Sequence, residues 1–191
     1  TEVLYVEAIR QALFEEMERD ETVFVLGEDV GAYGGAFKVT EGLMERFGEA
    51  RVIDTPLAEE AIVGAAIGAA MRGLRPVAEM QFIDFVANAY DMLTNYVATA
   101  RYRAFLGCPM VVRGPSGGYV RGGPFHSQNP EAGFIHTPGL KVVYPATAED
   151  AKGLLLSAID DPNPVIVLEH KLLYRTSGAV PEAATRVPLG V

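Results

Sequence analysis

The side chains best suited to proton chemistry in this sequence are two neighbouring glutamates, Glu59 and Glu60. They follow the turn residues Thr55-Pro56 and precede a run of eleven residues, 61–71, that has no polar side chain. A carboxylate in the first turn of a helix usually stays solvated and complements the positive end of the helix dipole. A carboxyl group in an apolar site instead has a raised pKa and can share a proton with a ligand. The residues alone leave both interpretations of Glu59 open and favour a solvated dipole partner at Glu60.

Three further side chains are candidates for binding or proton transfer. His126 lies in a glycine-rich loop, and a histidine side chain can donate or accept protons, although an isolated loop histidine is more often a solvated surface residue. Gln81 and Phe85 follow an apolar run, where an amide either lines a pocket or satisfies backbone groups, and an aromatic ring is most often ordinary core. One cysteine, Cys108, and three scattered histidines can form neither a disulfide nor a Cys/His metal site.

Short apolar runs alternate with helical patterns along the chain. Predicted strands cover residues 23–26, 52–54, 76–80, 110–113, 141–145 and 165–168, and predicted helices cover 3–19, 40–47, 84–103 and 148–159. A further helix is expected to begin at 55–57 and to bury the apolar run 61–71 on all sides. The alternation predicts a three-layer α/β/α domain with a mostly parallel central sheet.

Ligands of such sheets bind beyond the carboxyl ends of the strands. The turn with Glu59, the segment 81–85 and the loop with His126 each follow a predicted strand, so we expect them to meet at one edge of the sheet. The glycine-rich segment 27–38 also follows a strand. Its acidic residues would repel phosphate and its spacing matches no nucleotide-binding motif, so it is interpreted as a surface or interface loop.

The net charge of the chain restricts the classes of molecule that it can bind. Sixteen basic and twenty-five acidic residues among 191 give a formal net charge of −9, which argues against nucleic acid and against an anionic membrane surface. No apolar run is long enough to span a bilayer, and the first residues predict an acidic amphipathic helix instead of a targeting signal. We expect a cytoplasmic protein in a prokaryote or, after processing, a protein of the mitochondrial matrix in a eukaryote.

Two stretches of the chain resemble one enzyme family. The first comprises Asp54-Thr55-Pro56-Leu57-Ala58-Glu59, Gly-Ala-Ala-Ile-Gly at 64–68 and Gln81-Phe82-x-Asp84-Phe85, and the second is Gly122-Gly123-Pro124-Phe125-His126-Ser127-Gln128. Both are similar to the beta subunit of thiamine-diphosphate-dependent 2-oxoacid dehydrogenases, whose best-known members are the pyruvate and branched-chain enzymes. The resemblance implies a pyrimidine-binding domain with thiamine diphosphate as cofactor, bound by Leu57, Glu59, Gln81 and Phe85.

The resemblance also implies a role for individual residues. Glu59 would exchange a proton with the aminopyrimidine ring of the cofactor, and Phe85 would stack on that ring. His126 would supply a proton while the acyl group passes to lipoyl-lysine. His136 follows the family pattern and is interpreted as a structural, hydrogen-bonded histidine, whereas His170 matches no role.

A potassium site is implied by the same resemblance. The matching positions are Met110, Ala158, Ile159, Asp161 and Asn163. Most of them would contribute backbone carbonyl oxygens, which suit a hard cation. The residue types of Asp161-Pro162-Asn163 equally favour an ordinary turn.

One element of thiamine enzymes is missing from the sequence, a Gly-Asp-Gly followed by Asn, which fixes magnesium and diphosphate. The resemblance therefore implies an alpha subunit that completes the site with magnesium, together with a second beta chain, a lipoyl acyltransferase core and a 2-oxoacid substrate. Residues 1–175 would form the pyrimidine-binding domain, and 176–191 a linker toward a C-terminal transketolase-like domain absent from this sequence. The alternatives are another thiamine-diphosphate enzyme, such as acetoin dehydrogenase or a transketolase-like enzyme, and a non-catalytic assembly module. The choice between pyruvate and branched-chain substrates stays open.

Overall fold

The six predicted strands pair into one parallel sheet in a computed structural model that describes residues 1–190. In chain order the strands are β1 (Glu2–Leu4), β2 (Val23–Gly27), β3 (Val52–Asp54), β4 (Arg75–Glu79), β5 (Val111–Ser116), β6 (Lys141–Val143), β7 (Val165–His170) and β8 (Ser177–Ala179). The sheet has the order β3-β2-β4-β5-β7-β6, and every neighbouring pair is parallel. Strands β1 and β8, which the sequence does not predict, form a separate antiparallel pair.

Helices cover both faces of this sheet. They are α1 (Tyr5–Arg19), α2 (Leu43–Phe47), α3 (Glu59–Met71), α4 (Ala98–Ala104), α5 (Glu131–Ile135) and α6 (Ala148–Asp160). Along β7, Val165 and Val167 join one apolar core with α1 and α6, whereas Ile166 and Leu168 join the other with α3. This alternation confirms the predicted three-layer α/β/α fold. No helix within residues 1–190 combines the length and the apolar character needed to cross a membrane.

The predicted helix 84–103 is divided into three segments. A 3₁₀ helix (Ile83–Ala89) is followed by a π-helical segment (Met92–Val97) and then by α4. The buried residues Ile83, Val86 and Ala89 recur at intervals of three. A 3₁₀ helix aligns residues i and i+3 on one side, so this spacing suits it better than an α-helix. The prediction of one continuous helix is therefore wrong.

Helix α3 differs from its prediction in two respects. It begins at Glu59, after the predicted start at 55–57, and Ala58 is its N-cap. Its outer face exposes Ala61, Ala65 and Gly68, so the expectation that it is buried on all sides is wrong for this chain. Because both faces consist of apolar or small residues, the sequence contains no amphipathic pattern that marks the exposed one. Helix α2 is also shorter than predicted and follows Gly42, whose φ of 84° lies in the left-handed region.

The segment predicted as a linker, 176–191, packs against the domain over much of its length. Strand β8 pairs with β1, and the terminal ammonium of Thr1 donates to the carbonyl oxygen of Val180 at 3.0 Å. Further along, the hydroxyl of Ser157 donates to the carbonyl oxygen of Val187 at 2.6 Å. Val191 lies outside the described residues, and a following domain stays a prediction.

Candidate functional site

Three predicted site segments lie at the carboxyl edge of the parallel sheet. Glu59 opens α3 after β3, Gln81 and Phe85 follow β4, and His126 lies in the loop after β5. Strands β3, β2, β4 and β5 are neighbours in that order. The structure therefore brings these segments together as the strand order requires, while the chemical role of each residue stays a prediction.

His126 is held between two aromatic rings from the segment after β4. The ring centroids of Phe82 and Phe85 lie 4.8 and 5.5 Å from that of His126, and both contacts are edge-on. Its Nδ1 atom is 3.1 Å from the carbonyl oxygen of Gly122. When Nδ1 donates its proton to that carbonyl, Nε2 carries the lone pair that accepts or releases a proton. His126 is thus oriented by its neighbours and differs from a freely solvated loop histidine.

Glu59 is half-buried at the first position of α3. Its Oε2 atom accepts a hydrogen bond from Nδ2 of Asn88 at 2.9 Å. Asn88 lies three residues after Phe85 in the same 3₁₀ helix, so one short segment contacts both His126 and Glu59. Glu60 is exposed, as expected. Asn88 is a site neighbour that the sequence pattern does not reveal.

Leu57, the remaining predicted cofactor residue, is 83 % exposed in the segment before α3. Gln81 and Phe85 are half-buried. The part of the site around Leu57 is therefore open to solvent in the single chain, whereas Glu59, Gln81, Phe85 and His126 are half-buried.

Glu28 is a buried carboxyl group at this edge, with 6 % of its surface exposed. Burial, followed by the charges of Glu59 and Asp29, raises its pKa to about 7. The interpretation of 27–38 as a surface loop is therefore wrong at Glu28, which directly follows β2 and interacts electrostatically with Glu59, and an interface role stays a prediction. The available signal is its position directly after a buried strand, which it shares with the other site segments.

Close packing explains why this glycine-rich segment folds inward. A Cβ atom at Gly27 would lie 2.7 Å from the carbonyl oxygen of Glu79 on the neighbouring strand. The amide of Gly31 donates to Oδ1 of Asp54, at the end of β3, at 2.6 Å. The glycines therefore permit contact with two strands, and the segment is part of the site edge.

Several buried side-chain oxygens at this edge have no hydrogen-bond partner within residues 1–190. They are Oε1 of Glu28, Oγ1 of Thr55, Oε1 of Gln81 and Oδ2 of Asp84. Buried polar atoms without a partner are uncommon in native proteins and call for an explanation such as a ligand or water. A polar heterocycle such as an aminopyrimidine fits these donors and acceptors, and the ring of Phe85 offers a stacking surface.

The predicted potassium ligands, Ala158 excepted, are engaged by other groups. Lys141 donates to Asp161, Arg101 to Asn163, Arg75 to the carbonyl oxygen of Ile159 at 2.6 Å, and the amide of Val165 to the carbonyl oxygen of Met110 at 3.0 Å. Three of these four partners are basic side chains, which repel a cation. The carbonyl oxygens keep a second lone pair, so the potassium site stays a prediction, and we derive no function through this ion.

The other two histidines have separate surroundings. His136 is exposed and makes no side-chain hydrogen bond to any residue of 1–190, so its interpretation as a hydrogen-bonded structural residue is wrong. His170 ends β7, where its ring stacks on Tyr144 with a centroid separation of 6.2 Å. Its Nδ1 atom accepts a hydrogen bond from the amide of Leu172 at 3.2 Å.

Known proteins share this architecture and sequence. Residues 1–177 match the family model described as the transketolase, pyrimidine binding domain. The chain belongs to this family. A solved structure described as a split gene transketolase, inactive beta4 tetramer, has the same fold as this pyrimidine-binding domain, with a TM-score of 0.75 and 19 % identity over 97 % of the chain and 56 % of that structure.

More similar sequences are beta subunits of two dehydrogenases. The pyrimidine-binding domain is 55 % identical over 189 residues to the 2-oxoisovalerate dehydrogenase subunit beta of Bacillus subtilis (strain 168), covering 97 % of the chain and 58 % of that protein. It is 50 % identical over 186 residues to the pyruvate dehydrogenase E1 component subunit beta of Rickettsia felis, covering 96 % of the chain and 57 % of that protein. The chain thus spans somewhat more than half the length of these relatives.

Proposed function

We propose that this chain is part of the beta subunit of a 2-oxoacid dehydrogenase decarboxylating component. Such an enzyme oxidatively decarboxylates pyruvate or a branched-chain 2-oxoacid with thiamine diphosphate and passes the acyl group to lipoyl-lysine of a partner acyltransferase. The observation that carries the proposal is identity of 50–55 % to beta subunits of both dehydrogenases over nearly the whole chain. The residues to which we assign roles in this function lie at the site edge described above.

Thiamine diphosphate, when bound, supplies the electron sink for loss of carbon dioxide. The amide of Gln81 and the ring of Phe85 would hold its aminopyrimidine, with Leu57 contributing apolar surface. Glu59 would exchange a proton with a nitrogen of that ring. Because the pKa of neighbouring Glu28 is raised to about 7, that carboxyl group can retain a proton near neutral pH.

His126 would move a proton during acyl transfer to the lipoyl group. The edge-on rings of Phe82 and Phe85 shield two sides of its imidazole, and the Gly122 carbonyl fixes Nδ1. A positioned imidazole suits both acceptance and donation of a proton.

The proposal includes a partner that completes the site. The sequence lacks the Gly-Asp-Gly and Asn element, so an alpha subunit would hold magnesium and the diphosphate. Glu59 is half-buried and Leu57 exposed in the single chain, as expected for groups that another chain covers. A second beta chain and the acyltransferase core belong to the same proposal.

The first experiment is affinity capture from the source extract with this chain as bait. The captured material is assayed with thiamine diphosphate, magnesium, an artificial electron acceptor and several 2-oxoacids. We expect turnover together with an alpha subunit, and the preferred 2-oxoacid identifies the substrate. An alpha subunit recovered without turnover on any 2-oxoacid contradicts the proposed activity, provided that the full-length beta chain gives the same result.

Glu59→Gln in the assembled enzyme tests the proton exchange. We expect kcat to fall by about 10²–10⁴-fold, because the amide cannot donate or accept the proton in the same way. The matched control is Glu60→Gln, which changes the exposed neighbour in the same helical turn and should leave kcat within about twofold. Retained activity in Glu59→Gln would reject this role.

His126→Ala separates the two half-reactions. We expect reductive acylation of the lipoyl group to lose more activity than decarboxylation measured with the artificial acceptor, because the proton from His126 serves the transfer step. Equal losses in both steps would count against the assignment.

A further inference from the structure

The carboxylate of Asp84 is a contact of the His126 loop that the proposed chemistry does not use. Asp84 lies in the 3₁₀ helix after β4 and is 7 % exposed. Its Oδ1 atom accepts hydrogen bonds from the backbone amides of Ser127 and Gln128, both at 2.9 Å. These are the two residues that follow His126 in the chain. Hydrogen bonds to a charged acceptor are stronger than those between neutral groups.

The remaining attachments of this loop lie at its base or within the loop itself. The amide of Gly117 donates to the carbonyl oxygen of Gln128 at 2.9 Å, which closes the loop. The side chain of Gln128 donates to the carbonyl oxygen of Pro124 at 3.2 Å, inside the loop. Within residues 1–190, the tip of the loop (residues 118–127) forms hydrogen bonds with one residue outside the loop, and that residue is Asp84. The position of His126 therefore depends on Asp84 more than on any other polar side chain.

Asp84 also belongs to the segment that supplies the ring contacts of His126. It lies between Phe82 and Phe85 in the sequence, and both rings pack edge-on against the imidazole. One turn of chain thus contacts the imidazole through two T-shaped ring contacts and holds the following backbone through two hydrogen bonds. This arrangement fixes the direction of a side chain that is carried by a long loop.

A buried cation lies close to this carboxylate. Lys171 is 3 % exposed, and its Nζ atom lies 4.9 Å from the ring centroid of Phe82 without a hydrogen-bond partner in residues 1–190. Burial lowers the pKa of Lys171, and the charge of Asp84 opposes that change. The charge of Asp84 therefore interacts favourably with a second buried group beneath the loop.

We propose that Asp84 is a positioning residue for His126: it clamps the backbone after the histidine so that the imidazole keeps its place against Phe82 and Phe85. The catalytic consequence rests on the proposed function, whereas the clamp itself does not.

Limited proteolysis of the full-length beta chain tests the clamp without any assay of activity. Arg121 lies at the exposed tip of the loop and is its trypsin site. Two charge-assisted hydrogen bonds, to the amides of Ser127 and Gln128, anchor the chain that follows the tip, so Asp84→Ala should accelerate cleavage after Arg121 by about tenfold or more. Asp84→Asn keeps an acceptor oxygen but loses the charge, and should accelerate cleavage by about threefold.

The matched control is Asp91→Asn. Asp91 is an exposed carboxylate in the same stretch of chain and accepts a hydrogen bond from Asn95 at 2.7 Å. It should leave the cleavage rate within about twofold. If Asp84→Ala does not fold, Asp84→Asn decides alone, and an unchanged cleavage rate in the folded variant overturns the proposal.

A double-mutant cycle in the assembled enzyme tests whether Asp84 acts through His126. Asp84→Asn should slow lipoyl acylation by about tenfold in the parent enzyme and by less than about twofold in the His126→Ala background. Equal losses in the two backgrounds overturn the positioning role. Absence of 2-oxoacid turnover in the parent enzyme would instead refute the proposed function, and the proteolysis result would still decide the clamp.

Discussion

At the scale of single residues, the negative charges of neighbouring carboxyl groups affect one another at the carboxyl edge of the sheet. Glu59 is half-buried and hydrogen-bonded to Asn88, whereas Glu28 is buried and has an oxygen without a partner. Removing a carboxylate from water raises its pKa, and a neighbouring negative charge raises it further. Burial and the nearby charges therefore give Glu28 a raised pKa.

The raised pKa of Glu28 makes stability depend on pH. In the unfolded chain this carboxyl ionises near its ordinary pKa of 4.5, and in the folded chain near about 7. Ionisation therefore favours unfolding as the pH rises, and the stabilisation present below pH 4.5 is lost by the time the pH passes 7. For Glu28→Gln we expect a free energy of unfolding that declines less over this range, by about 1–2 kcal/mol after allowance for solvent screening.

Chemical denaturation at several pH values between these limits measures this difference. Glu49→Gln, at an exposed position, is the control and should follow the parent profile. Parallel profiles for Glu28→Gln and the parent would show that Glu28 does not carry the pH dependence.

At the scale of secondary-structure elements, a buried ionic cluster joins three adjacent strands beneath the site. Arg113 of β5 forms two hydrogen bonds with Glu169 of β7, at 2.6 and 2.5 Å, and another with Glu79 of β4. Tyr174 donates to Glu169 at 2.7 Å. Burial raises the pKa of Glu79, although the charge of Arg113 opposes this. The cluster therefore depends on the single guanidinium that balances the two carboxyl groups.

Arg113→Met tests this dependence. We expect a loss of about 3–5 kcal/mol in the free energy of unfolding, because two buried carboxyl groups are left without their cation. The control is Arg46→Met, whose ion pair with Glu18 at 3.1 Å is exposed and should contribute less than about 1 kcal/mol. Denaturant titration measures both, and similar small losses in the two variants would mean that the cluster adds little to stability.

The His126 loop needs a glycine at position 122 because the chain there packs closely against His126. A Cβ atom at Gly122 would lie 2.7 Å from the Cβ atom of His126, so a side chain there displaces the histidine. Since misplacement of a catalytic group by about 1 Å can cost about 10²-fold in rate, Gly122→Ala should lower kcat of lipoyl acylation by about ten- to a hundredfold.

Gly118→Ala in the same loop is the matched control. A Cβ atom at Gly118 meets no other atom within 4 Å, so this variant should keep nearly full activity. Steady-state kinetics of the assembled enzyme compare the two substitutions, and equal activity would exclude the predicted displacement of His126.

At the scale of the whole molecule, Arg186, near the end of the described residues, forms hydrogen bonds with two helices. Arg186 bonds to Glu16 of α1 at 2.8 Å and also to Asp160 at the end of α6. Glu16 is 1 % exposed and retains Arg19 as a second partner. The contacts of Arg186 therefore connect the end of the chain to the helical layer opposite α3.

Arg186→Ala should release this end of the chain. We expect faster hydrogen–deuterium exchange in residues 185–189 and a loss of about 1–2 kcal/mol in stability, because buried Glu16 loses one of two partners. Exchange measured by mass spectrometry reports the first effect. Arg175→Ala, at an exposed position, is the control, and indistinguishable exchange in the two variants would contradict the role of Arg186 in holding this segment.

The amino-acid sequence by itself determined the parallel sheet and the segments that carry Glu59, Gln81 and His126. Strand-length apolar runs and helical spacing are local patterns, and the carboxyl ends of parallel strands necessarily share one edge. Site motifs such as Phe125-His126-Ser127 are likewise contiguous, so they can be read without coordinates.

Only the tertiary structure decided which groups are buried and which residues meet. The division of 84–103 into three segments, the burial of Glu28 and the position of Arg113 between two carboxyl groups depend on packing against distant elements. Asp84 and Ser127 are separated by 43 residues, and their hydrogen bond exists because two strands are neighbours in the sheet. Desolvation and long-range contacts are properties of the packed molecule, and a one-dimensional pattern of residue types does not contain them.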